Sequence, residues 1–195
     1  MSGSLQVITG PMYAFKSSEL IRRLRRANIA GQQVVLFKHS IDNRYSEYSV
    51  VTHDGEALSA IPATTSDDIL SHSPPADVIG VDEVQFFNPE IVQVLDMLAY
   101  AGKTVIVSGL DMDFMAKPFR ITADLLSLAD QVDKFTAVCT GCSTKDDIVE
   151  ATHTQLYNDG EEVTKALSSI KVGGAESYSP RCRSCFVRAK QKVNA

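Results

Sequence analysis

The chain has 195 residues, of which 19 are Lys or Arg and 24 are Asp or Glu, giving a formal net charge of −5. This excess of acid argues against a protein whose main task is to hold nucleic acid, because neutralising phosphates needs a basic surface. A composition of 44% hydrophobic and 22% charged residues is that of a soluble globular protein. No apolar stretch reaches membrane-spanning length, and MSGSLQ lacks a charged region followed by a hydrophobic one, so no membrane association and a cytoplasmic location are expected.

Leu5 to Thr9 (LQVIT) is an apolar run of strand length, and Glu19 to Ala30 sets Leu20, Ile21, Leu24 and Ala27 on one helical face. Between them Thr9 to Ser18 reads TGPMYAFKSS, a phosphate-binding loop of the form GxxxxGK(S/T) with one glycine replaced. In such a loop backbone N–H groups surround the phosphates, the Lys reaches the outer ones, and the hydroxyl holds Mg²⁺. Gly10, Lys16 and Ser17 fit, whereas Phe15 stands where the second glycine belongs. A helix opening at Ser17 would turn its N–H groups and positive dipole end toward a bound anion. The segment Gly10, Pro11, Met12, Tyr13, Ala14, Phe15, Lys16 and Ser17 is therefore expected to bind ATP. The bland alternative is an ordinary strand, turn and helix with a chance Lys-Ser. Arg22, Arg23, Arg25 and Arg26 face different sides of the helix, which reads as a solvated or subunit-contact face before a nucleic-acid one.

Gln33 to Lys38 (QVVLFK) is a second buried strand, and Ser66 begins an acidic first turn of a short helix that Pro74-Pro75 closes off. Asp77 to Glu83 (DVIGVDE) is a third strand. From Pro89 a helical pattern carries Ile91, Val94, Leu95 and Leu98, and Thr104 to Gly109 (TVIVSG) is a fourth strand. Ile121 to Val132 reads as a further helix, and KFTAVC as a strand running into Cys139. Alternating β and α segments with near-continuous apolar strands predict an α/β fold, a parallel sheet with helices on both faces.

The third strand ends in Val81-Asp82-Glu83. An apolar strand terminating in Asp supplies the Mg²⁺ carboxylate of a nucleoside-triphosphate site, and in an open α/β sheet it shares the carboxyl edge with the phosphate loop. Ser17 and Asp82 are thus the expected magnesium ligands. Glu83 beside them is placed to take a proton from an attacking hydroxyl. Adjacent carboxylates at a strand end are often merely solvated; the pairing with Gly10, Lys16 and Ser17 is what makes them informative.

Cys139-Thr140-Gly141-Cys142 and Cys182-Arg183-Ser184-Cys185 are two CxxC pairs late in the chain. Together they can complete a tetrahedral Cys₄ zinc site, which has no open position and so would fold the chain without catalysing. Two local disulfides, a redox motif and unrelated thiols are the competing readings. His39, His53, His72 and His153 are dispersed and read as surface or hydrogen-bonded residues. AKQKVNA at the end is polar, a frayed tail.

GPM at Gly10, KSSELIRRLRR, DNRYS at Asp42, THDG at Thr52, VDEVQFF, AGKTVIVSGLD, KPF at Lys117, FTAVC and VGGAESYSPRCRSC occur in an order that resembles the type II thymidine kinases. These are cytosolic nucleoside kinases with a zinc-bearing lasso. The resemblance implies transfer of the γ-phosphate of ATP to the 5′-hydroxyl of thymidine or deoxyuridine, in a homotetramer. It implies a phosphate-loop domain over 1–138, a zinc-binding lasso domain over 139–188, and a disordered tail over 189–195. It puts the catalytic base on Glu83 and extends the ATP site over Asp82, Val84 and Gln85. Asp42 and Arg44 match a DxR motif whose arginine offsets charge on the transferring group. Met12, Phe86, Leu110, Phe114 and Phe119 match the base pocket, with Thr154 beside them. Tyr178 and the main chain of Ile170, Lys171, Val172, Gly173 and Gly174 match the strand that closes over the nucleoside.

The chain departs from that pattern at Phe15, at Ser143 with the extra residues that follow it, at Gln155 and Leu156 where a basic residue is usual after the Thr, and at Arg120 after KPF. If position 15 keeps a left-handed backbone, the strain is about 1–3 kcal/mol. These departures define the alternative reading, a catalytically impaired relative that binds nucleotide or assembles with active subunits.

Overall fold

The computed structural model describes residues 3–41, 49–51, 57–158, 161–163 and 177–186. The first half contains β1 (Ser4–Gly10), α1 (Lys16–Ile29), β2 (Val34–His39), β3 (Ser49–Val51), β4 (Ala57–Ser59), β5 (Ile61–Ala63), α2 (Ser66–His72) and β6 (Val78–Asp82). A single 3₁₀ turn, Val84–Phe86, leads to α3 (Ile91–Tyr100), β7 (Thr104–Leu110), α4 (Arg120–Leu128) and β8 (Gln131–Lys134). Six of these strands form one sheet in the order β5-β2-β6-β7-β1-β8, and every neighbouring pair is parallel.

Alternation along the buried strands divides the core into two layers. Leu5 and Val7 of β1, Ile79 and Val81 of β6, and Val105 and Val107 of β7 meet Ile91, Leu95 and Leu98 of α3, Leu125 of α4 and Ile69 of α2. Ile8, Val78 and Ile106 point the other way, onto Leu20, Ile21 and Leu24 of α1. The expected parallel sheet with helices on both faces is therefore what these residues build. Thr65 caps α2 with the reciprocal Thr65–Asp68 capping box that an acidic first turn favours.

Two expected elements change. The helix over Ile121 to Val132 stops at Leu128, because Ala129 is extended (ψ 137°) and the Asp130 carboxylate accepts the Leu5 N–H at 2.8 Å. Residues Gln131–Lys134 then pair with β1 as an edge strand, so tertiary pairing overrides a helical pattern. The strand KFTAVC is likewise broken: Lys134 ends β8, and only Ala137–Val138 forms β9.

The C-terminal part is antiparallel. β9 pairs with β10 (Glu150–Ala151), while β11 (His153–Asn158) lies between β12 (Glu161–Glu162) and β13 (Tyr178–Arg181). Among the described residues no helix is long and apolar enough to cross a membrane.

Candidate functional site

The strand order sets β7 between β6 and β1, so the loop leaving β1 and the end of β6 flank one strand. Gly10 has φ 145°, and a Cβ there would overlap the Phe135 carbonyl oxygen, which leaves glycine as the residue that fits. Tyr13 (φ 67°) and Phe15 (φ 57°) are both left-handed. Position 15 thus keeps the conformation that suits a glycine, at a strain of about 1–3 kcal/mol. Its side chain is 57% exposed. Phe15 immediately precedes α1, and its carbonyl accepts from Glu19 N at 3.0 Å. Lys16 Nζ lies back over the loop and donates to the Pro11 carbonyl at 2.7 Å.

Asp82 is buried and collects three donors. Ser17 Oγ donates to Oδ2 at 3.0 Å, Glu83 N donates to Oδ1 at 3.0 Å, and Ser108 Oγ of β7 donates to Oδ1. Burial pushes this carboxyl up to about 6, the neighbouring Glu83 charge adds to the rise, and the Ser108 and Ser17 hydroxyls and the Glu83 N–H oppose it. A buried carboxylate faced by hydroxyl oxygens is the donor set of a hard cation, so Ser17 and Asp82 fit Mg²⁺.

Glu83 is itself left-handed (φ 54°) and opens the 3₁₀ turn. Strain in non-glycine residues collects where surrounding contacts over-determine the backbone, typically at functional sites. Gln85 Nε2 donates to Glu83 Oε2 at 2.5 Å, and Gln85 Oε1 accepts Leu110 N at 3.0 Å. A Cβ on Gly109 would sit 2.6 Å from that same Oε1, so the glycine makes room for the bridge. Gln85, expected as part of the ATP site, is placed here as a brace for Glu83; Val84 beside it is buried in the core against β7.

The expected base-pocket residues separate into two groups. Met12 and Phe114 share one cluster with Leu156, Tyr13, Met115 and Val163, and Tyr178, expected on the closing strand, packs in the same cluster. Phe86, Leu110 and Phe119 lie outside it, at the 3₁₀ turn, the end of β7 and the residue before α4. Thr154 Oγ1 accepts the Met12 N–H at 3.0 Å. Asp42, Arg44, His53 and residues Ile170, Lys171, Val172, Gly173 and Gly174 lie outside the described residues, as does 189–195.

The sulfur atoms of Cys139, Cys142, Cys182 and Cys185 lie within 4.8 Å of one another, and none forms a disulfide. Cys142 Sγ is 3.6 Å from Cys139 Sγ and 3.7 Å from Cys182 Sγ. A tetrahedron with Zn–S bonds of about 2.3 Å has edges of roughly 3.8 Å, so the four thiols fit zinc. Burial pushes the Cys139 thiol up, yet the N–H groups of Cys182 and Gly141 and the nearby thiols bring it down to about 6. Cys142, facing the Cys139 and then the Cys185 sulfur, is pushed up to about 12.

Other expectations are adjusted by contact. His39 and His153 are the hydrogen-bonded kind and are buried: His39 Nδ1 accepts the Ile41 N–H and the ring packs edge-on to Phe87, while His153 Nδ1 bonds the Thr152 hydroxyl and the ring stacks on Phe186. Arg22 and Arg23 both pair with Glu19, Arg23 also with Asp133, and Arg25 donates to the Ala57 carbonyl, so much of the basic cluster is engaged within the chain. Arg120 pairs with Asp124 on the surface. Gln155, at a position where a basic residue is usual, is 1% exposed and donates to the Leu156 and Val163 carbonyls. The sequence reading missed Ser108, although a hydroxyl inside the apolar run TVIVSG was the available signal.

A family model described as "Thymidine kinase" matches residues 3–186. Among solved structures, the chain is similar to the X-ray structure of the Legionella pneumophila ATPase DotB, with 15% identity and a TM-score of 0.46. That match covers 77% of this chain and 44% of the other, so the chain spans less than half the length of that protein.

Proposed function

The chain belongs to the thymidine kinase family, and from that premise we propose that it transfers the γ-phosphate of ATP to the 5′-hydroxyl of thymidine or deoxyuridine. The observation that carries this reading is the Ser17–Asp82 contact of 3.0 Å, with Glu83 braced beside it at the carboxyl edge of a parallel sheet. Glu83 takes the proton of the 5′-hydroxyl as the new O–P bond forms, and the bond to the β-phosphate oxygen breaks to release ADP. Lys16 leaves the Pro11 carbonyl for the outer phosphates, and the opening turn of α1 faces them. Ser17 and Asp82 would hold Mg²⁺, which supplies neutralisation of the phosphate charge.

Met12, Phe114 and Tyr178 would line the base, joined by Phe86, Leu110 and Phe119. By family resemblance, Arg44 with Asp42 serves the transferring group, and the main chain of 170–174 closes on the nucleoside. Cys139, Cys142, Cys182 and Cys185 would hold a structural zinc. We assign 1–138 to the phosphate-loop domain and 139–188 to the lasso domain. A cytoplasmic homotetramer without nucleic-acid or membrane partners completes the reading.

The alternative of an impaired relative rests on Phe15 and on the altered lasso. The left-handed backbone and exposed ring of Phe15 support an intact loop against the first of these grounds. Transfer of label from γ-³²P-ATP to thymidine, compared with deoxyuridine and deoxycytidine, tests the proposal. Label on neither thymidine nor deoxyuridine would overturn it.

A further inference from the structure

Within the phosphate loop, Tyr13 packs into both C-terminal clusters among the described residues. It packs against the cluster of Ala14, Ala137, Cys139, Ala151 and Cys182 at the cysteine centre. It also meets Phe114, Leu156 and Tyr178 in the pocket cluster. Its phenol Oη donates to the Tyr178 carbonyl of β13 at 3.2 Å. The backbone at this residue is left-handed, φ 67°. A tyrosine holds that conformation where its surroundings over-determine it, and here the packed ring and the tethered phenol are those surroundings.

Met12, the preceding residue, is tied separately. Its N–H is directed to Thr154 Oγ1 of β11 at 3.0 Å. β11 and β13 are paired, with Leu156 opposite Tyr178 and Thr154 opposite Pro180. Two consecutive loop residues are thus hydrogen-bonded to two neighbouring strands of one small sheet. A rotation of the loop about residues 12–13 must displace that sheet or break one of the ties. Movement of the sheet must, equally, be felt in the loop.

From this we infer that Tyr13 is a positioning residue and not a nucleotide contact: its phenol couples the phosphate loop to β13, so that filling the loop orders the strand beside the nucleoside pocket. The assignment of β13 to that pocket rests on the function proposed above, but the mechanical coupling is a property of the two bonds. Nothing in the TGPMYAFKSS pattern requires a phenol at this position, since the phosphate-binding pattern leaves it free.

Hydrogen exchange with ADP as the probe tests the coupling in the full chain, with Tyr13→Phe keeping the ring and removing only the donor. In the parent protein, ADP should slow exchange at residues 177–181 about three- to tenfold, the scale of one hydrogen bond's net contribution. In Tyr13→Phe, ADP should still protect the loop amides of 10–17, while protection at 177–181 falls to near none. The Kd for thymidine with ADP present should weaken by a similar about three- to tenfold factor. Equal protection of 177–181 in both proteins overturns the inference. So does loss of loop protection in the variant, which would make Tyr13 a nucleotide contact. If ADP binds and couples but no nucleoside is phosphorylated, the proposed function fails and the coupling stands. If ADP does not bind at all, both fail.

Discussion

The Ser17 hydroxyl stands 3.0 Å from the Asp82 carboxylate, although 65 residues of sequence separate them. The contact crosses the end of β7, whose Ser108 hydroxyl occupies the other carboxylate oxygen. Two strands and the first turn of α1 therefore converge on one buried acid. In the absence of a cation that convergence is a cost as well as a site.

Burial raises Asp82 from its ordinary 3.8 to about 6. A folded value above the unfolded one means that the stabilising protonated form is fully present below pH 3.8 and is lost as the pH rises through about 6. Ionising the group in the folded state costs on the order of 3 kcal/mol. Asp82→Asn should thus raise the Tm of the metal- and nucleotide-free protein at pH 8 by about 5–10 °C. The gap should shrink toward pH 4, and the variant should lose Mg²⁺-dependent stabilisation by ATP. Thermal scans across pH check this; equal Tm values at pH 8 would refute the assigned strain.

Phe15 combines a left-handed backbone with an exposed ring. Glycine adopts that conformation freely but loses more freedom on folding, so Phe15→Gly should change stability by about 1 kcal/mol or less. Phe15→Val should be worse, by roughly 1–2 kcal/mol, because a β-branched side chain tolerates positive φ least. Denaturant midpoints at constant m-value measure both. A valine variant as stable as the parent would mean that the backbone at position 15 is not left-handed in solution.

Glu83 is oriented by Gln85, which is fixed in turn by Leu110 N. If Glu83 is the base, Glu83→Gln should lower kcat by about 10²–10⁴-fold with ATP binding nearly intact. Gln85→Met should lower kcat roughly tenfold by freeing the carboxylate to turn, the scale of one lost hydrogen bond. Steady-state kinetics with thymidine as acceptor separates the two. Unchanged kcat in Glu83→Gln would move the base elsewhere.

What was legible in the sequence followed element length and local pattern. β1, the phosphate loop, α1 and β6 could be read because apolar runs and a spaced Gly-Lys-Ser are local signals. β5 (IPA) is three residues long with Pro62 at a sheet edge, too little to outweigh its turn-like composition. β8 hid inside a helical pattern until Asp130 and Leu5 exchanged hydrogen bonds. The cysteine spacing announced a four-thiol centre, but its contact with Ala14 of the phosphate loop required the fold. The Tyr13–Tyr178 bond joins residues 165 apart, and no local pattern encodes such a pair.

The four thiols make the last prediction, in which pH and metal act together. Cys139 is lowered to about 6 from its ordinary 9.0, so its thiolate is populated at neutral pH before any ion binds. A depressed folded value contributes stability at high pH and loses it as the pH falls through about 6. Cys142, pushed up to about 12, must instead release its proton to solvent when its sulfur binds the metal. Protein purified in the presence of zinc should therefore carry one ion per chain at pH 7.5 and release protons on reloading. Metal loss to a chelator should accelerate steeply below pH 6. Because these cysteines anchor β9, β10 and β13, chelation should increase hydrogen exchange at 149–156 and 178–186. The amides of β6 and β7, held by the parallel sheet and two core layers, should change little. Elemental analysis with no zinc, together with four freely alkylated thiols in freshly prepared protein, would show that the cluster closes without a metal.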